Sequence, residues 1–168
     1  DLAIEDVAKL DESAHPMKRS HVFMLLVSLV AIAWSGWSLL GARGGVTIEK
    51  IHVGEIPATL FRPTGLSNGQ AALIAHGFAG SQQLMQPMAM TLAHSGYTAV
   101  TFDFAGHGRN ARPMRGGVKD MGESTRTLMA EIDEMTAFAR GLSGGKPIAL
   151  VGHSMAADLI TQYAMDRT

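Results

Sequence analysis

The sequence predicts an α/β fold in which an antiparallel hairpin leads into a mainly parallel sheet with helices between its strands. Three observations carry this reading. Residues 71–75, 98–102 and 148–151 are short apolar runs, as strands buried on both faces of a parallel sheet require. Stretches of helical periodicity lie in the intervals between them, and another follows residue 154. Ahead of them all, residues 46–53 alternate apolar and polar side chains, the pattern of a half-buried strand. The order hairpin, β, α, β, α, β, α is that of a sheet covered by helices.

The chain of 168 residues is long enough for one ordinary domain. A formal net charge of -1 gives no reason to expect a nucleic-acid partner. The absence of cysteine excludes disulfides, thiolate metal sites and cysteine nucleophiles. Eleven methionines read as flexible core filler.

Residues 1–20 form a polar tail of mixed charge, with Asp1, Glu5, Asp6, Asp11 and Glu12 among Lys9, Lys18 and Arg19. Met17-Lys18-Arg19-Ser20 would also make a compact basic start, in which case residues 1–16 do not belong to the natural protein. Residues 21–42 are expected to be a transmembrane signal anchor. No charge occurs from Val22 to Ala42, and about 20 residues rising about 1.5 Å each span the roughly 30 Å hydrocarbon core. Trp34 and Trp37 suit an interfacial belt. The alternative is a cleaved signal peptide, for which Gly36 and Ser38 supply small residues. Lys18 and Arg19 directly before the span favour a cytoplasmic N-terminus, with the rest on the periplasmic, extracellular or lumenal side. The expected product is a single-pass membrane protein, or a secreted one if the span is cleaved. The bilayer is therefore an expected partner; no protein partner is legible.

The globular part, residues 46–168, opens with the strand 46–53, a turn at Gly54-Glu55 and a return strand from Ile56 to Phe61, where Pro57 suggests a sheet edge. Residues 62–69 read as a loop. A first helix has Pro87 in its first turn, Gly96 as its C-cap, and Met88 and Leu92 between. A second covers about 123–140, with Leu128, Ile132, Met135 and Ala139 at helical spacing and Met129 and Phe138 widening the stripe.

The third apolar run ends in Gly152-His153-Ser154-Met155-Ala156. A strand, a sharp turn and a helix with serine at the apex hold that serine in a strained conformation, and small residues two before and two after it let strand and helix approach. Gly152 fits the first position, and Ala156 stands where glycine is usual. The first run ends at His76-Gly77-Phe78, and the second at Asp103-Phe104-Ala105-Gly106-His107-Gly108. In this order and spacing the three motifs resemble the α/β-hydrolase superfamily, over residues 46–168.

The resemblance implies a serine hydrolase acting on a carboxylic ester or related acyl compound through an acyl-serine intermediate, with a small-molecule acyl or lipid-like substrate. It makes Ser154 the nucleophile. It assigns the oxyanion hole to the backbone N–H groups of Met155, which follows the nucleophile, and of Phe78. An acyltransferase or peptidase on the same fold is the alternative, as is a membrane-tethered module that binds without catalysis. The family's triad runs serine, acid, histidine along the chain. His76, His107, His153 and Asp103 all precede Ser154 and are therefore read as structural. No histidine follows Ser154, and Asp158 and Asp166 lie on the helix leaving the elbow. The acid and the histidine are thus expected beyond residue 168, and this stretch alone is expected to be inactive, with an open sheet edge at 148–151.

No cofactor and no metal is expected. Gly106-His107-Gly108-Arg109-Asn110-Ala111 matches a dinucleotide pattern, but Arg112-Pro113 and Gly116-Gly117 break the helix that pattern needs. Gly144-Gly145-Lys146 lacks the first glycine and the Ser/Thr of a phosphate loop. Arg109, Arg112, Arg115 and Lys119 read as a solvated loop.

Overall fold

The computed structural model describes residues 18–41, 44–117 and 119–166. The tail before Lys18, with the Met17 start, and linker residues 42 and 43 lie outside them. The chain divides into two compact units, residues 1–44 and 45–168.

The first unit contains helix α1, Arg19–Gly41, of 23 residues, none of them buried. Its mean hydropathy of 2.0 and its length make it apolar and long enough to cross a membrane. It begins at Arg19, ahead of the expected span. The Ser28 and Ser35 hydroxyls donate to Met24 O and Ala31 O at 2.9 and 2.8 Å. Bonding back to the preceding turn satisfies each hydroxyl within the helix, so a serine does not spoil the apolar surface.

The second unit is one five-stranded mixed sheet in the order β1-β2-β4-β3-β5. Strands β1 (Val46–Val53) and β2 (Ile56–Pro63) form the expected hairpin, and β2 runs antiparallel to β4 (Thr98–Phe102). Strand β3 (Ala71–Ala75) lies parallel between β4 and β5 (Ala149–Gly152). β5 starts one residue later than expected and is only half-buried, having one neighbour among the described strands.

Pro57 corrects the edge assignment, because β2 is an interior strand. The β2–β4 ladder ends at Ala58↔Phe102, one residue short of Pro57. The Pro57 carbonyl accepts from Asp103 N at 3.0 Å, just past the end of β4. The N–H and C=O of a strand residue point to the same side. The donor that proline lacks would have faced this ladder end, so an interior strand tolerates it.

Helices cover both faces. Leu73 and Ala75 of β3 and Val100 and Phe102 of β4 pack with Leu128, Ile132 and Met135 of α3 (Met121–Leu142) and with Leu159 and Ile160 of α4 (Met155–Asp166). On the other face Phe61, Ile74 and Ala99 pack with Ala89 and Ala93 of α2 (Gln86–His94). The alternation of strand side chains between two covered faces is the physical content of the apolar runs. Two details differ from expectation. The buried stripe of α2 is Ala89 and Ala93, while Met88 is 43% exposed. The residue capping α2 is Ser95, and Gly96 follows it with φ +90°, the left-handed conformation that glycine adopts without steric cost.

Candidate active site

The parallel pairing of β3 with β5 fixes the site. Ala75 lies opposite Gly152, so both strands end together at the same edge of the sheet. His153 N donates to Ala75 O at 3.1 Å, extending the ladder by one bond. The chain then turns sharply at Ser154 and enters α4 at Met155. Ser154 is exposed and has φ +54°, a region that residues bearing a Cβ rarely adopt. Two glycines make room for this turn. A methyl at Gly152 would run into the backbone of Ala156 and Ala157, and one at Gly77 would sit 2.9 Å from Ser154 Cβ and 3.1 Å from His153 O. The side chain at 156 lies in the α/β core, where alanine is small enough to serve.

Phe78 and Met155 are brought to the same end of the neighbouring strands β3 and β5. Neither backbone N–H donates to an acceptor among the described residues. The Met155 amide belongs to the first turn of α4, where intrahelical acceptors are lacking and the helix end carries partial positive charge. Ser154 Oγ makes no hydrogen bond among the described residues, so no base is in place beside it. Asp158 is exposed on α4.

The histidines before the serine have other work. His76 is fully buried, and both ring nitrogens are engaged, with Gly77 O at 2.8 Å and Phe104 N at 3.1 Å. Burial, the largest influence, holds its pKa below the ordinary value. His107 Nδ1 lies 2.9 Å from Ala105 O, and the ring meets Phe78 edge-on at 5.8 Å. His153 is exposed beside Gly77.

The turn after β4 rests on carboxylates, one of which sequence reasoning missed. Asp103 is fully buried and accepts from Gln82 N and Gln82 Nε2, each at 2.7 Å, and from Arg109 N at 3.0 Å. Glu131, 2% exposed on α3, accepts from Ala105 N at 2.7 Å and from Asn110 Nδ2 at 3.1 Å. Burial pushes the Glu131 pKa up, opposed by the Ala105 and Asn110 bonds and by Arg112. A signal for Glu131 was present, since it stands three residues after Leu128 and four before Met135, on the buried stripe.

Arg112 corrects the reading of a wholly solvated basic loop. Its guanidinium lies 3.6 to 3.7 Å from Glu55, Glu131 and Glu134, and these residues line a cleft of about 330 Å³.

A mixed sheet with a serine at a strand-to-helix apex and the paired turns beside it defines an α/β-hydrolase fold. The family model described as "Serine aminopeptidase, S33" matches residues 67–168, and the chain belongs to that family. Among solved structures, the chain is similar to a thioesterase domain from the curacin biosynthetic pathway, at 28% identity over 73% of this chain and 42% of that one, with a TM-score of 0.54. It is similar in fold to a bacterial membrane phospholipase A, at 20% identity over 86% of this chain and 47% of that one, TM-score 0.51. A thermostable carboxyl esterase from Bacillus coagulans matches in fold at 16% identity, over 73% of this chain and 41% of that one, TM-score 0.55. The chain thus spans less than half the length of these three structures. No curated protein matches it.

Proposed function

We propose that the protein is a serine hydrolase that cleaves a carboxylic ester or related acyl compound, with Ser154 as nucleophile. The observation that carries this reading is the exposed Ser154 hydroxyl at φ +54°, on a turn that two glycines leave room for. The hydroxyl attacks the acyl carbon, and its proton passes to a histidine supplied from outside residues 1–168. The resulting oxyanion is held by the N–H groups of Met155 and Phe78, both without an acceptor among the described residues. The alcohol or thiol leaves, and water releases the acid from the acyl-serine. Two solved structures of similar fold, named as a membrane phospholipase A and a carboxyl esterase, favour an acyl or lipid-like substrate. The family description favours a second reading in which the same acyl-serine forms from a peptide amide.

Helix α1 tethers this unit to a bilayer, with Lys18 and Arg19 on the cytoplasmic side and the hydrolase unit on the other. A carbonate wash should leave the protein in the membrane fraction. A soluble form beginning near residues 39–43 would show a cleaved signal peptide instead.

The catalytic test uses the protein expressed from its complete reading frame. An alkyl fluorophosphonate should label it, and Ser154→Ala should abolish both labelling and ester turnover. Labelling that survives the substitution would place the nucleophile elsewhere. Parallel assays with a short acyl ester and an aminoacyl amide separate the two substrate readings.

A further inference from the structure

Leu66, in the loop between β2 and β3, is 98% exposed, more than any other large apolar side chain described in the hydrolase unit. A loose loop is not the reason. The chain is tied down on both sides of it, Thr64 N donating to Gly45 O at 2.9 Å and Asn68 N to Gly96 O at 3.0 Å. Within the loop, Gly69 N donates to Ser67 Oγ at 3.1 Å and Gln70 N to Asn68 Oδ1 at 2.8 Å, the local bonds by which serine and asparagine close turns. Leu66 O stands 3.2 Å from where a methyl at Gly96 would lie. The Leu66 backbone is thus pressed against the unit while its side chain is held out. One exposed leucine is ordinary on any surface, and its place in the fold is what carries meaning.

That place is the end of the sheet where the chain enters the unit. β1 and β3 begin at this end and β2 finishes there, whereas β3 and β5 finish at the other end, beside Ser154. At about 3.3 Å per residue, the five residues of β3 hold the two ends roughly 17 Å apart. The entry end also gathers positive charge. Arg62 is the last residue but one of β2, Arg140 lies in the last turn of α3, and Lys146 precedes β5, its Nζ 3.4 Å from where a methyl at Gly69 would lie. All three are exposed. Among the described carboxylates, Asp166 ends α4 at this end, while Glu55, Asp103 and Asp120 belong to turns at the Ser154 end. The four residues 42–45 reach at most about 14 Å, so the surface that anchors the chain lies close to residue 46.

We propose that this end of the hydrolase unit is a lipid-facing surface, at which Leu66 enters the headgroup region of the bilayer and Arg62, Arg140 and Lys146 bind anionic lipid phosphates. The proposal rests on the reading of α1 as a bilayer tether given above. An apolar side chain set among basic ones is the combination that holds a protein at a membrane interface. Ser154, at the opposite end, is then turned toward water. The acyl substrate reaches it from the aqueous phase and does not slide sideways out of the same leaflet.

The test uses the protein expressed from its complete reading frame, in nanodiscs of phosphatidylcholine and phosphatidylglycerol. The photo-crosslinker p-benzoylphenylalanine replaces Leu66, or replaces Leu84 or Met121, which are 65% and 66% exposed toward the Ser154 end. Mass spectrometry counts lipid adducts after illumination. Position 66 should give at least about tenfold more adduct than 84 or 121, because only a side chain at headgroup depth meets lipid. Equal yields, or more adduct at 84 or 121, would overturn the proposal. With the probe at 66, the triple substitution Arg62→Gln, Arg140→Gln, Lys146→Gln should lower the yield severalfold, and raised salt should do the same to the parent. A yield that ignores both would overturn the headgroup contacts. The three side chains are exposed, so melting temperatures should stay at the parent value. Should the triple variant not fold, the salt response of the parent decides. If a carbonate wash frees the protein, the tether reading fails by itself. Phosphatidylglycerol vesicles added to the freed protein then decide the surface: adducts at 66 uphold it, and their absence overturns it.

Discussion

The turns after β3 and β5 and the turn after β4 lie along one end of the same sheet, yet they are built from different materials. At the ends of β3 and β5, backbone meets backbone. Gly77 abuts His153 and Ser154, and Gly152 abuts Ala156. Close approach is the organising force, and glycine is its requirement. After β4 glycines are pressed as well, Gly106 against Met114 and Gly108 against the Asp103 carboxylate, but side-chain carboxylates are added to the contacts. Asp103 gathers three N–H donors and Glu131 gathers two, so buried carboxylates do what bare backbone does elsewhere. The first kind of turn is rigid because nothing fits between its parts. The second is held by charge taken out of water, which depends on every donor being present.

The largest expected effect breaks the first kind of turn. Gly152→Ala pushes a methyl into the backbone of Ala156 and Ala157, which no rotamer can relieve. We expect a loss of about 3–5 kcal/mol, at the high end for a single substitution. Urea denaturation of the protein expressed from its complete reading frame, and of its variant, measures it. A loss under about 1 kcal/mol would show that the elbow has room to relax.

Glu131→Ala attacks the second kind. It leaves the Ala105 N–H and the Asn110 amide without their acceptor in a buried place. We expect about 2–4 kcal/mol, from roughly 1–3 kcal/mol for each orphaned donor, partly regained because a desolvated charge disappears. The same titration measures it, and an unchanged midpoint would mean that water replaces the carboxylate without penalty.

This contrast also explains what the sequence disclosed. Glycine beside serine, and glycine after His76, are local requirements that leave a local mark, so the elbow, the neighbouring loop and all five strands were legible. Asp103 was legible as a turn residue because it ends a strand. Gln82, which donates to Asp103 across 21 residues, left no mark, because the bond depends on how β3 and β4 align. Arg112 was hidden for the same reason, and Glu131 showed only its place on the buried stripe, not its role. A carboxylate on an apolar helix stripe acquires meaning only when the fold supplies donors above it. Pro57 misled because the carbonyl its missing N–H would have met, Asp103 O, accepts from Asn110 Nδ2 at 2.8 Å instead.

A smaller effect concerns pH and sharpens the comparison from the side of His76. Its folded pKa lies below the ordinary value of 6.5, chiefly through burial. The unfolded chain therefore binds this proton more readily than the fold. The contribution is complete above pH 6.5 and is lost as the pH falls toward the folded value. His76→Asn cannot titrate, so the gap in stability between wild type and variant should narrow on acidification through this window. A gap that stays constant between pH 7 and pH 5, measured by urea denaturation, would show that the ring takes up its proton equally in both states and that burial does not hold its pKa down.

The smallest effect should come from Arg112→Gln, although three carboxylates surround that side chain. A buried ion pair that loses one partner usually costs several kcal/mol, because the other charge is left bare. Here Glu131 would not be bare. Its two oxygens already take N–H bonds at 2.7 and 3.1 Å, whereas the guanidinium stands off at 3.7 Å. The Arg112 side chain is 35% exposed and Glu55 is 81% exposed, so water screens the Nε contact with Glu55, while Nη1, facing Glu131 and Glu134, is buried but makes no hydrogen bond among the described residues. We expect a loss of about 1 kcal/mol or less at neutral pH, shrinking as salt is raised. The sign of its pH dependence follows from Glu131, whose folded pKa is raised by burial and held down in part by Arg112. Removing Arg112 raises that pKa further. The penalty is therefore present where Glu131 is ionised and fades as the pH falls through its folded value. Urea titrations of wild type and variant at neutral and acid pH, each at low and high salt, measure it. A loss above about 3 kcal/mol, insensitive to salt, would show instead that Arg112 is an obligatory member of the buried cluster, and that the turn after β4 needs a cation as well as its carboxylates.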